Sequence, residues 1–289
     1  MDIALSAWLG FGWWSIGTAI HWTSAVLARR PKKPGVPAAD PTPRSLSDFS
    51  VVAPMSGAAD ASAVYVTALQ RLADEGAEIL ICVADEADEA VAATRAVWPA
   101  APILTGSDTT FNPKMNNVRK GLEAARRPVV ALCDAGIVLA APDLQRAAAS
   151  LSADIGLVLV LKVGQSADNF TAELECAYIN GHQARFLLAA DRLGLAVASG
   201  GITVMSHDTL QRIGSWRGFN RWIADDYSVT RSVRELGLQT RLGDVLVRLP
   251  LGRRNLSTVW RRQVRWARTR LRLPVWPLVL WEPLIGWLV

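Results

Sequence analysis

Apolar residues fall into three regimes along the chain. An uncharged run opens it, a central block alternates short apolar runs with helically spaced ones, and an arginine-rich stretch leads to a second apolar run. From Ile3 to Ala28 there are 26 consecutive residues without Asp, Glu, Lys or Arg. A helix crosses a bilayer with about 20 apolar residues, so residues 1–28 are predicted to be a transmembrane anchor. Trp8, Trp13, Trp14 and Trp22 fit interfacial anchors. A cleaved signal peptide fits less well, because acidic Asp2 and no basic residue precedes the run. Arg29-Arg30-Pro31-Lys32-Lys33 follows, and the positive-inside rule then puts the remainder in the cytoplasm. Residues 29–47 read as a basic, proline-rich linker.

The central block predicts strands over 49–53, 78–83, 103–104 and 129–133, and helices over 61–73, 90–97 and 116–126. Strands covered on both faces by crossover helices read as continuous apolar runs. Residues 48–250 are therefore expected to form an α/β domain with a mostly parallel sheet. Ligands of such sheets bind beyond the carboxyl ends of the strands, where Asp85 and Asp134 fall. Residues 251–272 are an arginine-rich segment suited to an anionic membrane surface. Residues 273–289 carry Trp276, Trp281, Trp287 and three prolines, and are expected to be membrane-associated as an interfacial, re-entrant or truncated span.

Composition sharpens this picture. The 289 residues are 51% hydrophobic and 20% charged, below the roughly 25% charge of ordinary soluble domains. Three cysteines, Cys82, Cys133 and Cys176, exclude a disulfide framework and have no zinc spacing. The 26 arginines against five lysines suggest a GC-rich bacterial genome, and hence the bacterial inner membrane as the location. The sequence pI is about 9.4, but the basic residues cluster beside an apolar terminus and not on a module with stacking aromatics, so no nucleic-acid partner is expected.

Four clusters carry candidate chemistry: Cys82-Val-Ala-Asp85-Glu86-Ala-Asp88, Asn112-Pro-Lys114-Met-Asn116-Asn117, Cys133-Asp134-Ala-Gly136, and Asp225-Asp226-Tyr227 together with Arg261-Arg262-Gln-Val-Arg265-Trp266. Each alone also suits ordinary turn and cap chemistry. Together they suit transfer from a nucleotide-diphosphate donor. A carboxylate such as Asp134 can hold a hard cation against the diphosphate, and guanidinium forks match phosphate geometry. One of the Asp225/Asp226 pair can act as general base on an acceptor hydroxyl. Trp266 offers an apolar face for a sugar ring or lipid chain.

The ordered set, from Cys82 to Trp266, resembles the ceramide glucosyltransferase family of GT-A glycosyltransferases. The resemblance implies a GT-A nucleotide-diphospho-sugar transferase domain and inverting transfer of a hexose from UDP-glucose to a ceramide-like membrane lipid. It implies Mg²⁺ or Mn²⁺ as cofactor at Asp134, and Asp226 as base beside Asp225. Asp85 and Asp88 would contact uridine; Lys114, Asn116 and Asn117 would line the donor pocket. Arg262, Arg265 and Trp266 would close over diphosphate and acceptor. His182 stands where relatives have a His ahead of an Arg, and is a candidate acceptor residue. The chain departs from the family at Ala53, where a lysine is usual, and at Glu89, where a proline is usual. A hopanoid or diacylglycerol acceptor, an N-acetylhexosamine donor, and a catalytically silent scaffold stay open.

Overall fold

The computed structural model describes residues 3–29, 44–106 and 112–274. The linker expected over 29–47 and the apolar segment expected over 273–289 therefore lie largely outside the described residues. The elements in order are α1 (Ile3–Arg29), β1 (Phe49–Pro54), α2 (Ala63–Asp74), β2 (Glu78–Cys82), α3 (Glu89–Val97), β3 (Ile103–Leu104), α4 (Pro113–Ala124), β4 (Val129–Cys133) and α5 (Ala141–Ala148). There follow β5 (Ile155–Ala167), α6 (Phe170–Ala177), a π-helical turn (Tyr178–Gln183), α7 (Ala184–Arg192), β6 (Ile202–Ser206), α8 (His207–Arg212), α9 (Trp216–Phe219), α10 (Asp225–Glu235), β7 (Gln239–Gly252) and α11 (Leu256–Leu271).

The strands form one sheet in the order β3-β2-β1-β4-β6-β5-β7. The sheet is mostly parallel, as expected; only β6 runs antiparallel to its neighbours β4 and β5. The strand period of two divides the core between the faces. Val51, Ile79, Ile81, Val129 and Ala131 pack under α2, α3 and α5, while Val52, Leu80, Cys82, Val130 and Leu132 pack under α4 and α10. The direction of chain travel reverses at β1, which has β2 on one side and β4 on the other. The crevice beyond those strands is the switch point where such sheets bind ligands.

Helix α4 starts earlier than the pattern predicts, at Pro113, because Asn112 caps it: its Oδ1 accepts from the Lys114 amide at 3.1 Å. That cap puts Lys114 in the first turn, at the rim of the crevice. α4 lies close on the sheet through Gly121, whose missing Cβ would stand 2.9 Å from Cys82 Sγ and closer still to the Val52 side chain. Gly121→Ala is expected to destabilise the fold by about 1–3 kcal/mol through overpacking, read as a lower urea midpoint at unchanged slope.

The transmembrane expectation for the first residues is corrected. α1 is continuous over its 27 residues, but among the described residues no helix is long and apolar enough to cross a membrane. The physical reason is that uncharged is not the same as apolar: Gly10, Gly12, Ser15, Thr18, His21, Thr23 and Ser24 interrupt the run. α1 packs against α7 instead, where Arg185 meets His21 Nδ1, and the His21 ring stands edge-on to Phe186 at 6.2 Å.

Candidate active site

The antiparallel course of β6 builds the centre. Ile202 pairs with Cys133, so the residues entering β6, Ser199-Gly200-Gly201, lie beside the residue leaving β4, Asp134. Gly201 N–H donates to Asp134 Oδ2 at 2.9 Å, and Asp134 N–H donates to the Gly201 carbonyl at 2.9 Å. Gly200 N–H donates to Asp226 Oδ2 at 2.7 Å. A two-glycine strap thus holds both acids, at φ of 66° and 127°, values open to residues without a Cβ.

Helices α4 and α10 supply the rest. Asn112 Nδ2 donates to the Ile223 carbonyl at 3.1 Å, tying the start of α4 to the loop ahead of α10. Asp225 and Asp226 occupy the first turn of α10, the favourable end of the helix dipole for a carboxylate. Lys114 Nζ bridges 2.6 Å to Asp225 Oδ2 and 2.8 Å to Asp134 Oδ1. The structure therefore brings Lys114, Asp134, Asp225 and Asp226 together from three separate stretches of chain.

Their charges pull the acids apart. Burial opposes the charge on Lys114, but Asp134, Asp225 and Asp226 hold its pKa well above the usual lysine value. Burial also favours the protonated form of Asp134, yet Lys114, Lys162 and the Gly201 amide outweigh it and keep this carboxyl low. Asp226 goes the other way: burial, then the like charge of Asp225, lift it to about 7 against the pull of Lys114 and Lys162. An ionised acid beside one poised near neutrality is the pairing that separates a binding carboxylate from a general base.

Asp85 and Asp88 stand apart, beyond β2. Asp85 is exposed and accepts from the Ala87 amide at 2.8 Å. Asp88 caps α3, accepting from Ala90 N–H at 2.9 Å, and also accepts from Gly57 N–H at 2.8 Å, so it ties together the loops after β1 and β2. Asn117 is buried and donates to the Met55 carbonyl at 3.0 Å, and Asn116 beside it is half-buried. Asp60, absent from the sequence motifs, accepts from Ser56 N–H at 2.9 Å. Burial raises its pKa, and the charges of Asp88 and Asp134 add to the rise.

The arginine motif lies on α11 and differs from expectation in its contacts. Arg262 pairs with Glu175 of α6, a side chain 1% exposed, and Arg254 Nε stands 3.6 Å from the same carboxylate. Arg265 is exposed. Trp266 faces the centre: Lys162 Nζ lies 6.0 Å from its ring centroid. Lys162, on β5, is the other residue that motif reading misses. Burial lowers its pKa although Asp134 and Asp226 favour its charged form. His182 lies in the π-helical turn, stacked on Tyr178 at 5.2 Å and against Phe186 at 4.9 Å. Burial, then Arg185, His21 and Arg270, depress it to about 4, so it is neutral at physiological pH.

Among the described residues no three His, Cys, Asp or Glu side chains gather as a metal cage. Asp134 would supply a carboxylate, its Oδ1 now bridged by Lys114 and its Oδ2 held by the Gly201 amide. That suits a cation held jointly by one protein carboxylate and substrate phosphates, as hard divalent ions often are.

The fold is that of the GT-A glycosyltransferases. The mannosyltransferase PcManGT from Pyrobaculum calidifontis, solved in complex with GDP-Man and Mn2+, matches with a TM-score of 0.64 at 16% identity, covering 93% of this chain and 73% of its own. Glucosyl-3-phosphoglycerate synthase from Mycobacterium tuberculosis, solved with Mn2+, UDP and phosphoglyceric acid, matches with a TM-score of 0.50 at 16% identity, covering 90% of this chain and 87% of its own. The chain belongs to glycosyl transferase family 21, whose pattern it matches over residues 15–285. It is similar to ceramide glucosyltransferases 1 and 3 of Caenorhabditis elegans, each 24% identical over 216 residues, or 72% of this chain and 46% and 47% of theirs. The chain spans about half the length of these curated relatives.

Proposed function

We propose that this protein transfers a hexose from a UDP-sugar, UDP-glucose first among them, to the primary hydroxyl of a ceramide-like lipid with inversion at the anomeric carbon. The observation that carries the reading is Asp226, poised near neutrality and held 2.7 Å from a backbone amide beside the ionised Asp134. Asp226 takes the proton of the acceptor hydroxyl as its oxygen bonds to the anomeric carbon; the bond from that carbon to the diphosphate oxygen breaks, and its electron pair leaves with UDP. Asp134 would hold a divalent cation, which when bound would neutralise charge on that leaving group. Lys114 keeps Asp134 ionised and bridges it to Asp225 before the donor arrives. Asp85 and Asp88 face the uridine end.

The lipid acceptor is supported by the outer surface. Trp8, Phe11, Trp13, Trp14 and Trp22 of α1, Phe170 and Leu174 of α6, and Leu256 and Trp260 of α11 are exposed, and α11 interleaves its apolar residues with five arginines. Such a surface suits contact with anionic lipid headgroups, on the cytoplasmic face of a bacterial inner membrane.

The test is UDP release by the detergent-solubilised protein with Mg²⁺ or Mn²⁺, pairing UDP-glucose, UDP-galactose and UDP-N-acetylglucosamine with ceramide, diacylglycerol and hopanoid. Release that depends on ceramide and UDP-glucose is expected. Release with another pair reassigns the substrates, and UDP binding without any release makes this a silent binding protein. Asp134→Ala is expected to weaken Mn²⁺-dependent UDP binding by about tenfold or more, measured by calorimetry with and without the metal.

A further inference from the structure

Lys162 belongs to none of the sequence motifs, yet the sheet register delivers it to the centre. β5 pairs antiparallel with β6 through Val158–Val204, Leu159–Thr203 and Val160–Ile202. Continuing that register by two residues sets Lys162 opposite Gly200. The atom positions agree with this placement. The point where a Gly200 side chain would begin lies 3.0 Å from Lys162 Nζ, 3.2 Å from Asp134 Oδ2 and 4.0 Å from Asp226 Oδ2. Lys162 Nζ also donates to the Ser199 carbonyl at 3.5 Å, and Trp266 of α11 covers it at 6.0 Å, within cation–π reach.

We infer that Lys162 is a positioning residue for the transfer reaction, whose ammonium seats the Ser199–Gly201 strap and so fixes the spacing of Asp134 and Asp226. The physical case is geometric. The strap's two amides each hold one acid, Gly201 on Asp134 and Gly200 on Asp226. Nothing covalent fixes the strap, and its glycines are the least constrained residues in a chain. Lys162 grips it at the Ser199 carbonyl and fills the space that Gly200 leaves. Its positive charge also lets two carboxylates from β4 and α10 approach one strap. Lys114 performs the matching task on the other side, where it bridges Asp134 and Asp225. Gln183 of the π-helical turn reinforces the grip, with Nε2 donating to Ser199 Oγ at 2.7 Å and to the Ser199 carbonyl at 3.2 Å. Because Trp266 lies over Lys162, the same side chain gives α11 a seat above the acids.

The inference rests on reading this site as a transferase centre, so its test has one arm that needs no activity. Lys162→Met keeps the length and removes the charge. Hydrogen exchange at the Gly200 and Gly201 amides should accelerate by about tenfold or more in that variant. In the transfer assay kcat should fall by about tenfold or more while the KM for the UDP-sugar changes by less than about threefold, the pattern of a misplaced reacting group with intact binding. Lys162→Arg restores the charge and should recover much of the amide protection. Amides protected as in the wild type, or an unchanged kcat, would overturn the inference. If Lys162→Met loses its fold, Lys162→Arg decides: a folded Arg variant whose strap amides are unprotected means packing and not charge holds the strap, which also overturns it. A wild-type protein that transfers nothing refutes the reaction, and the exchange comparison still decides what Lys162 holds.

Discussion

Asp226→Asn should abolish transfer, lowering the rate by about 10²–10⁴-fold, while UDP-sugar binding stays near the wild-type level. The amide retains an oxygen to accept from Gly200 N–H, which now donates to Asp226 Oδ2 at 2.7 Å, so the variant removes the base and keeps the strap. The pH dependence adds a second readout. Asp226 is lifted from 3.8 to about 7 by burial and the neighbouring Asp225 charge, so wild-type turnover should rise as pH passes through about 7, and any residual activity of the variant should lose that limb. Stability carries the opposite sign. Between pH 4 and 7 the folded protein keeps a proton that the unfolded chain has released, and ionising Asp226 as pH rises through about 7 costs the folded state. Asp226→Asn has no such cost, so its melting temperature should exceed that of the wild type at pH 8 and match it near pH 3. Turnover close to wild type in Asp226→Asn would remove Asp226 from the role of base.

The sheet as far as β4 is legible from sequence because each strand there is a short apolar run bounded by its own turn, and local pattern carries the information. Thereafter pattern is less help. β5 and β7 run 13 and 14 residues, and whether β6 inserts between β4 and β5 is decided by contacts far apart in sequence. α1 misleads for a different reason: absence of charge reads as a span, whereas span formation depends on hydropathy that its glycines, serines, threonines and histidine dilute.

The acids of the site announce themselves as motifs because each follows a strand or opens a helix. What holds them does not. Gly200 and Gly201 belong to no motif, and their positive φ appears only with β6 in place. Lys162 belongs to no motif; its partners lie in β4, α10 and α11. Asp60 is hidden in the same way, its neighbours Asp88 and Asp134 being brought near by separate loops. Arg262 shows the limit of motif reading from the other side. The motif directs it to phosphate, while Glu175 of α6 pairs with it in this structure.

Glu175→Ala should be strongly destabilising. The Glu175 side chain is 1% exposed and takes two guanidinium partners, Arg262 from α11 and Arg254 from the segment ahead of it. Breaking a buried pair by deleting one partner costs more than the pair contributes, because the surviving charge is left desolvated. Both arginines keep some solvent contact, at 23% and 28% exposure, which places the expected loss at the lower end of that range, about 3 kcal/mol. That corresponds to a fall in melting temperature of roughly 6–12 °C for a domain of this size. Among the described residues α11 has no buried side chain of its own, so its attachment depends on such contacts, and releasing it takes Trp266 away from Lys162. Transfer should therefore fall along with stability. Glu175→Gln, which keeps the volume and an oxygen for Arg262, should lose less of both. Arg262→Ala combined with Glu175→Ala should be no more unstable than Glu175→Ala alone, because the interaction they share is already gone. A Glu175→Ala melting temperature within about 2 °C of the wild type would mean that α11 is held by its other contacts and that the pair is incidental.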